Sequence, residues 1–204
     1  ARDFIGIDRD DCMSLFVGRI EPLKGIDTLM KAVSLLGMHD ARNPFYVAII
    51  GGDPDVAAEE MTEEMTRLQG LCDALCLGQM ALFWGKRAQD TLPYYYSAAE
   101  VLLMPSHYES FGMVALEAMA CGTPVIASQV GGLAYLVKDG ETGYHVPFDS
   151  PEVLSEKLGA LLGNVELRKK MGEQAAIYAK EYAWEKIAAR IIEVYEGVQE
   201  HSRK

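Results

Sequence analysis

The chain alternates short apolar runs with longer segments of helical periodicity. Six of these runs lack the polar alternation of a half-exposed strand, which predicts strands buried on both faces. The predicted strands cover residues 12–18, 45–52, 80–85, 100–106, 124–128 and 142–147. Helical patterns are predicted over about 25–37, 56–76, 92–99, 112–121, 151–163, 165–181 and 184–200. This order predicts an α/β class, Rossmann-like domain with a doubly wound, parallel, six-stranded sheet.

Because ligands of such folds lie beyond the carboxyl ends of the strands, the turns there are the first places to look for chemistry. The turn GRIEPLKG, residues 18–25, places Arg19 and Lys24 five residues apart. Two cations there could clamp a phosphate or pyrophosphate, or they could be solvated surface charges. The turn is neither a Walker A loop nor G-x-G-x-x-G, so a P-loop NTPase and a dinucleotide-dependent dehydrogenase both lose support.

The turn after the fourth predicted strand opens a helix that carries a single carboxylate. Ser110 is the predicted N-cap, and between Phe111 and Cys121 that carboxylate belongs to Glu117. A carboxylate in so apolar a helix needs a donor, and it leans toward the helix end where N–H groups favour an anion. Glu109 stands just before that end. Two carboxylates around an anion site suit the hydroxyls and phosphates of a nucleotide sugar; otherwise Glu109 is an exposed loop residue and Glu117 pairs with a neighbouring Arg.

Composition narrows the classes of partner. Half of the residues are hydrophobic and 24% are charged, as in a globular domain. Lys and Arg number 19 against 30 Asp and Glu, a net charge of −11 that argues against nucleic-acid binding. The sequence contains no run of 18 apolar residues, the length that a membrane-spanning helix needs, and we expect a cytoplasmic protein. The four cysteines form no C-x-x-C pair, and we expect them to be reduced, with no structural zinc site.

With these motifs in place, the chain resembles glycosyltransferase family 4, the retaining enzymes of the GT-B fold. GRIEPLKG is similar to that family's G-R-x-x-x-x-K-G phosphate loop, and ESFGMVALE to its motif of two glutamates separated by seven residues; ACGTPVIAS and VGGLAYLVKDGETG follow in order. The resemblance runs from about Cys12 to Phe148 and continues more weakly beyond. It implies that residues 1–204 form one donor-binding domain, the C-terminal half of a GT-B enzyme. Residues 1–11 would be a remnant of the interdomain linker and 184–200 the terminal helix.

The resemblance also implies roles at the phosphate end of the donor. In the loop that starts at Gly18, Arg19 and Lys24 would hold the pyrophosphate and stabilise the charge that develops on the leaving group. The implied mechanism is front-face retention, in which the leaving diphosphate accepts the acceptor's proton. Because such clamps replace a metal, no metal or other cofactor is expected. The D-P-D at 53–55 could instead bind a metal, but its place after a parallel strand favours a capping turn.

Further roles at the sugar and nucleoside ends follow by position in the same motifs. Glu109, which the resemblance places in the catalytic set with Arg19 and Lys24, would hold hydroxyls of the transferred sugar. Glu117 would bind the ribose hydroxyls. Backbone amides would complete the site: those of Phe111 and Gly112 at the sugar, and those of Met113 and Val114 at the phosphates. Lys86 and Arg87, after the third predicted strand, would bracket the base.

Donor and acceptor rest on similarity within the family. The stretch LPYYYSAAEVLLMPSHYESFGMVALEAMACGTPVIAS is most similar to bacterial sucrose-phosphate synthases and close UDP-sugar transferases. This implies transfer of glucose from UDP-glucose to an acceptor such as fructose 6-phosphate, which an N-terminal domain would bind. UDP-N-acetylglucosamine and GDP-mannose are alternative donors. A non-catalytic UDP-sugar-binding module is the main competing function, and a UDP-N-acetylglucosamine epimerase fits the GRIEPLKG loop less well.

Overall fold

The computed structural model describes residues 1–37, 45–53 and 61–202, with side chains described up to residue 198. The described residues form a six-stranded, all-parallel sheet in the order β3-β2-β1-β4-β5-β6. The strands are β1 Cys12–Val17, β2 Phe45–Ile50, β3 Ala81–Gly85, β4 Val101–Met104, β5 Val125–Ser128 and β6 Gly143–Val146. All six predicted strands are confirmed, each within its predicted bounds.

Helices connect these strands on both faces of the sheet. They are α1 Arg2–Ile5, α2 Ile26–Leu36, α3 Glu63–Ala74, α4 Leu92–Ala98, α5 Met113–Ala120, α6 Leu133–Leu136, α7 Pro151–Leu162, α8 Val165–Ala179 and α9 Trp184–Ser202. The helix predicted from residue 56 begins at Glu63 in the described residues, where Thr62 caps it by accepting from the Met65 N–H at 3.2 Å. Helices α1 and α6 were not predicted. Short 3-10 turns at Pro22–Lys24 and Lys180–Tyr182 were also not predicted.

The order of the strands fixes where a ligand can enter. The chain runs outward from β1 to β2 and β3, then returns to place β4 on the other side of β1. Ser14 and Leu15 of β1 pair with Val101 and Leu102 of β4. At such a switch point the loops that follow the two strands lead to opposite sides and leave a crevice. These are the GRIEPLKG and PSHYESFG loops, so the topology brings the two predicted motifs to one edge.

Two hydrophobic layers explain why the strands are apolar on both faces. On one face Phe16 and Ile49 pack in a cluster with residues of α2, α3 and α7. On the other face Met13, Leu15 and Leu102 pack with residues of α4 and α5. The domain therefore has a core on each side of its sheet, as the absence of polar alternation predicts.

The first eleven residues pack onto the domain. The Arg2 guanidinium donates to the carbonyl of Asp11 at 2.6 Å and the carbonyl of Ala98 at 2.9 Å. It also pairs with Glu100 at 2.9 Å, and Glu100 pairs in turn with Arg168 of α8 at 2.7 Å. One carboxylate thus joins the segment predicted as a linker remnant, the start of β4 and α8. Over the described chain, no helix is both long and apolar enough to cross a bilayer.

Candidate functional site

The loops after β1 and β4 touch directly. The β1 loop ends its 3-10 turn at Gly25, which has φ 64°. A Cβ there would overlap the carbonyl oxygen of Pro105, the residue after β4. The His107 N–H also donates to the carbonyl of Leu23 at 2.8 Å. Glycine at position 25 is therefore required twice, for the left-handed backbone and for the close approach.

This contact brings two predicted site residues together. Lys24 Nζ lies 2.7 Å from Glu109 Oε2, and the two side chains are 19% and 16% exposed. Glu109 is held from its other side as well, because its carbonyl accepts the Gly132 N–H at 2.9 Å. The alternative that Glu109 is a freely exposed loop residue is therefore wrong. Its carboxylate has a fixed position and a charged partner from a loop 85 residues away.

Arg19 takes a different direction from Lys24. Its side chain is 78% exposed and pairs with Glu21 of the same loop at 2.7 Å. Pairs so exposed contribute little to stability and exchange partners readily. Arg19 also lines a cavity of about 340 Å³ with Glu21, Asp53 and Lys86 at the carboxyl ends of the first three strands. Arg19 thus lines a cavity that Lys86 also lines and that Lys24 does not.

Glycines bring the chain close together behind this cavity. The Gly18 N–H donates to the carbonyl of Ile50 at 3.0 Å, which continues the pairing of β1 with β2. A Cβ on Gly51 would overlap the Gly18 carbonyl oxygen. Asp53 of the D-P-D motif lies at the cavity, whereas residues 54 and 55 lie outside the described residues. In the part of the chain that the structure describes, no three His, Cys, Asp or Glu side chains group as metal ligands would.

The start of α5 corrects the predicted cap. Gly112, with φ 97° and no side-chain hydrogen bond, precedes the first helical residue, Met113, so Ser110 is not the N-cap. The left-handed backbone at Gly112 lets the chain turn sharply, and a side chain there would press on Leu133 at 2.7 Å. The first amides of the helix, including those of Met113 and Val114, have no carbonyl partner within the helix. A helix end without a side-chain cap can donate these amides to an anion.

Phe111 lies beside this helix end and is 38% exposed. Its ring meets that of Tyr182 edge-on, with the centroids 5.8 Å apart. The loop that carries Glu109 and Phe111 thus packs against the segment that follows α8. The predicted residues Phe111, Gly112 and Met113 are all at this place.

Glu117 has a donor that the sequence did not suggest. The hydroxyl of Tyr96, on α4, donates to Glu117 Oε2 at 2.7 Å. Burial, followed by this hydrogen bond and the charge of Glu117, raises the pKa of Tyr96, so the phenol stays protonated. Among the described residues no Arg pairs with Glu117, so the alternative of a neighbouring Arg is wrong there. The one hint in the sequence was the run of three tyrosines in the helix before the fourth strand.

A second cavity adjoins this pair. It measures about 300 Å³ between α4 and α5 and is lined by Gln89, Leu92, Tyr96, Glu117 and Cys121, among others. Glu117 therefore lines a different cavity from Arg19, and the loop after β3 contributes to both. In that loop Arg87 is turned toward α4.

Arg87 is held there by a hydroxyl and by a backbone carbonyl, because its Nη1 donates to the carbonyl of Lys86 at 3.0 Å. Its Nε donates to the Tyr95 hydroxyl at 2.9 Å, and the side chain remains exposed. Lys86, its neighbour, faces the first cavity. The two cations predicted to bracket a base thus have different surroundings.

Comparison with known proteins agrees with this geometry. The model of the family "Glycosyl transferases group 1" matches residues 1–178. The chain belongs to this family. The resemblance that its two loops carry is thereby confirmed, and so is the fold class, a Rossmann-like half of a GT-B fold.

Three individual proteins illustrate the similarity within and around this family. A D-inositol 3-phosphate glycosyltransferase from Streptomyces bingchenggensis is 41% identical over 96% of this chain and 42% of its own length. The structure of sucrose-phosphate synthase from Thermosynechococcus elongatus is 34% identical, with a TM-score of 0.83 over 98% of this chain and 48% of that one. Anabaena Alr3699/HepE, solved with UDP and glucose, shares the fold at 23% identity, with a TM-score of 0.80 over 96% of this chain and 51% of that one. The chain spans about half the length of each of these three relatives.

Proposed function

We propose that this chain is the donor-binding domain of a retaining glycosyltransferase, and that its donor is a UDP-sugar, with UDP-glucose the first candidate. The observation that carries the proposal is the joining of the loops after β1 and β4. It sets the Lys24–Glu109 pair beside the uncapped start of α5, at the switch point of the sheet. A cation, a carboxylate and free amides there match the phosphates and hydroxyls of a nucleotide sugar.

The phosphates would lie against Lys24 and the first amides of α5. An ammonium group has three donors, and Glu109 takes one of those of Lys24, which leaves two for phosphate oxygens. Arg19 would join them by leaving Glu21, at little cost because that pair is exposed. The donor diphosphate would thus replace Glu21 as the partner of Arg19, whereas Lys24 would bind the diphosphate and keep its pair with Glu109.

The hydroxyls of the donor would meet the two glutamates. Glu109 would accept from the transferred sugar with the oxygen that Lys24 does not occupy. Glu117 would accept from the ribose on the side of the second cavity, and Lys86 and Arg87 of the loop after β3 would lie near the base. Glu109 precedes the first residue of α5, Met113, and Glu117 lies one turn inside the helix, which supports this order of sugar, phosphates and nucleoside.

The chemistry we propose breaks the bond between the anomeric carbon of the sugar and the diphosphate. The acceptor oxygen forms a new bond on the same face, and its proton passes to the leaving diphosphate. Arg19 and Lys24 would stabilise the negative charge that grows on that diphosphate, a contribution made largely in the transition state. We therefore propose that no divalent metal is needed.

The acceptor would be bound by the other half of the whole enzyme. The names of two relatives, D-inositol 3-phosphate glycosyltransferase and sucrose-phosphate synthase, both point to a phosphorylated polyol or sugar. We therefore propose fructose 6-phosphate as the first acceptor to test and D-inositol 3-phosphate as the second. The complex of the Anabaena protein with UDP and glucose supports UDP-glucose as the first donor to test.

A thermal-shift panel in EDTA tests the donor proposal on this chain. UDP and UDP-glucose should raise the melting temperature more than GDP-mannose does. For a Kd near 100 μM, 1 mM ligand stabilises the fold by about 1.4 kcal/mol. A shift that needs Mn²⁺ or Mg²⁺ would contradict the metal-free proposal, and a panel without any shift would overturn donor binding.

Transfer itself separates the enzyme from a non-catalytic binding module. This chain should bind UDP-glucose but should not glycosylate fructose 6-phosphate, since half of the proposed cleft lies in the other domain. Multiple turnovers by this chain alone would refute the two-domain proposal. The non-catalytic binding module would be favoured if a protein with both halves binds UDP-glucose but transfers glucose to no phosphorylated polyol or sugar.

A further inference from the structure

Tyr96 is a buried side chain whose one polar atom touches a proposed ligand-binding residue. The residue is 1% exposed, and its hydroxyl donates to Glu117 Oε2 at 2.7 Å. Its ring packs in the hydrophobic cluster with Leu102, Ala118 and Met119. A ring held in that way has little freedom to carry its hydroxyl elsewhere.

The backbone of Tyr96 is fixed as well. The Thr123 hydroxyl, also buried, donates to the Tyr96 carbonyl at 2.6 Å. Thr123 in turn donates its N–H to the carbonyl of Ala118 on α5 at 3.0 Å. Two contacts therefore tie the end of α4 to α5, one at each end of the tyrosine.

The hydrogen bond occupies one of the two oxygens of Glu117. Within the described residues, no other side-chain hydrogen bond to this carboxylate is present. The carboxylate borders the 300 Å³ cavity that Gln89 and Leu92 also line. Its second oxygen is thus the one left to accept a hydroxyl from a ligand.

We propose that Tyr96 is a positioning residue for donor recognition: its hydroxyl holds Oε2 of Glu117 so that Oε1 meets the ribose hydroxyls in a fixed orientation. This inference rests on the proposed function, because it takes Glu117 as the ribose-binding residue. A hydrogen bond that merely joins α4 to α5 would give the same contact in the empty protein. The two roles differ in what they do to ligands that lack ribose hydroxyls.

The test compares UDP with 2′,3′-dideoxy-UDP, using titration calorimetry on this chain. Tyr96→Phe keeps the ring and removes the hydroxyl. It should weaken UDP binding about 10-fold, because the carboxylate that accepts the ribose hydroxyls is no longer held in one orientation, and leave dideoxy-UDP binding unchanged. In a Glu117→Gln background, the same substitution should no longer change the ratio of the two affinities, because the two residues act through one contact.

Tyr46→Phe is the matched control. Tyr46 is also buried and also donates its hydroxyl to a carboxylate, that of Asp11 at 3.3 Å, but it lies near the amino end of β2. It should leave the affinity ratio unchanged. Thr123→Val keeps Tyr96 and Glu117 and removes the Thr123 hydrogen bond to the Tyr96 carbonyl, which still accepts the Ala99 N–H at 3.1 Å. It should lower the ratio of UDP affinity to dideoxy-UDP affinity about 3-fold, and it serves as the test if Tyr96→Phe does not fold.

The outcomes separate the inference from the function beneath it. An unchanged ratio in Tyr96→Phe, with a lowered ratio in Glu117→Gln, overturns the positioning role alone. An unchanged ratio in Glu117→Gln overturns the ribose assignment and the positioning role with it. An unchanged ratio in Thr123→Val, where that variant is the test, overturns the positioning role too.

Discussion

The ion pair between Lys24 and Glu109 predicts that Lys24→Met destabilises the empty domain as well as weakening donor binding. The pair spans 2.7 Å, and each side chain has less than a fifth of its surface exposed. Methionine preserves most of the stem but leaves the Glu109 carboxylate without its cation. Loss of one partner of such a charged hydrogen bond costs about 1–3 kcal/mol, less than for a fully buried pair because some water reaches the site.

The double variant Lys24→Met/Glu109→Gln distinguishes two causes of destabilisation, an unpaired Glu109 carboxylate and lost packing of the Lys24 side chain. With both charges removed, no carboxylate remains unpaired, so most of the lost stability should return. We expect a coupling energy of about 1–2 kcal/mol from the cycle. Lys169→Met is the control, because its pair with Glu166 is 66% and 87% exposed, and its loss should cost under about 0.5 kcal/mol.

Urea unfolding measures the stabilities, and titrations with UDP and UDP-glucose measure binding. Lys24→Met should weaken both ligands, since both carry the diphosphate. Glu109→Gln should weaken UDP-glucose and leave UDP nearly unchanged, because the transferred sugar is absent from UDP. An unfolding free energy of Lys24→Met equal to that of the wild type would refute the energetic role of the pair. Equal losses for the two ligands in Glu109→Gln would refute the assignment of that residue to the sugar.

Two further predictions concern stability and binding elsewhere. Arg19→Ala should weaken UDP about 10- to 150-fold, as expected for a lost phosphate contact, yet leave urea unfolding unchanged because its pair with Glu21 is exposed; a destabilised variant with normal UDP affinity would contradict this. Burial, followed by the charge of Asp11 and its hydrogen bond, raises the pKa of Tyr46 to about 12. The folded state therefore holds this proton more tightly than the unfolded state. The protonated Tyr46 hydroxyl contributes fully to the stability of the fold below pH 10, and this contribution is lost as the pH rises to 12. From pH 8 to pH 12, the free energy of unfolding should fall by about 2–3 kcal/mol less in Tyr46→Phe than in the wild type. Equal falls in the two proteins would contradict the raised pKa.

The pattern of the sequence was enough to predict the sheet and the edge where the site lies. Runs such as FYVAII lack polar alternation because helices cover both faces of their strands, and every residue of β2 is indeed buried. The loops at 18–25 and 105–112 could be identified because strand and loop are adjacent in sequence. Their motifs also carry the family resemblance, since each motif is a local arrangement of a few residues.

Partners distant in sequence were decided by the tertiary structure. Lys24 and Glu109 are 85 residues apart, and they meet because Gly25 lets one loop touch the other. Glu117 is met by Tyr96 because α4 and α5 pack side by side, which no local pattern states.

Local geometry also depended on distant contacts. Ser110 has the residue type of an N-cap, but Gly112 takes that place because the turn must fit against Leu133. Helix α1 holds its position through Arg2, two of whose partners lie nearly a hundred residues away. A sequence determines hydrophobic period and local turn chemistry, whereas the choice among competing caps and charge partners depends on which surfaces the fold brings together.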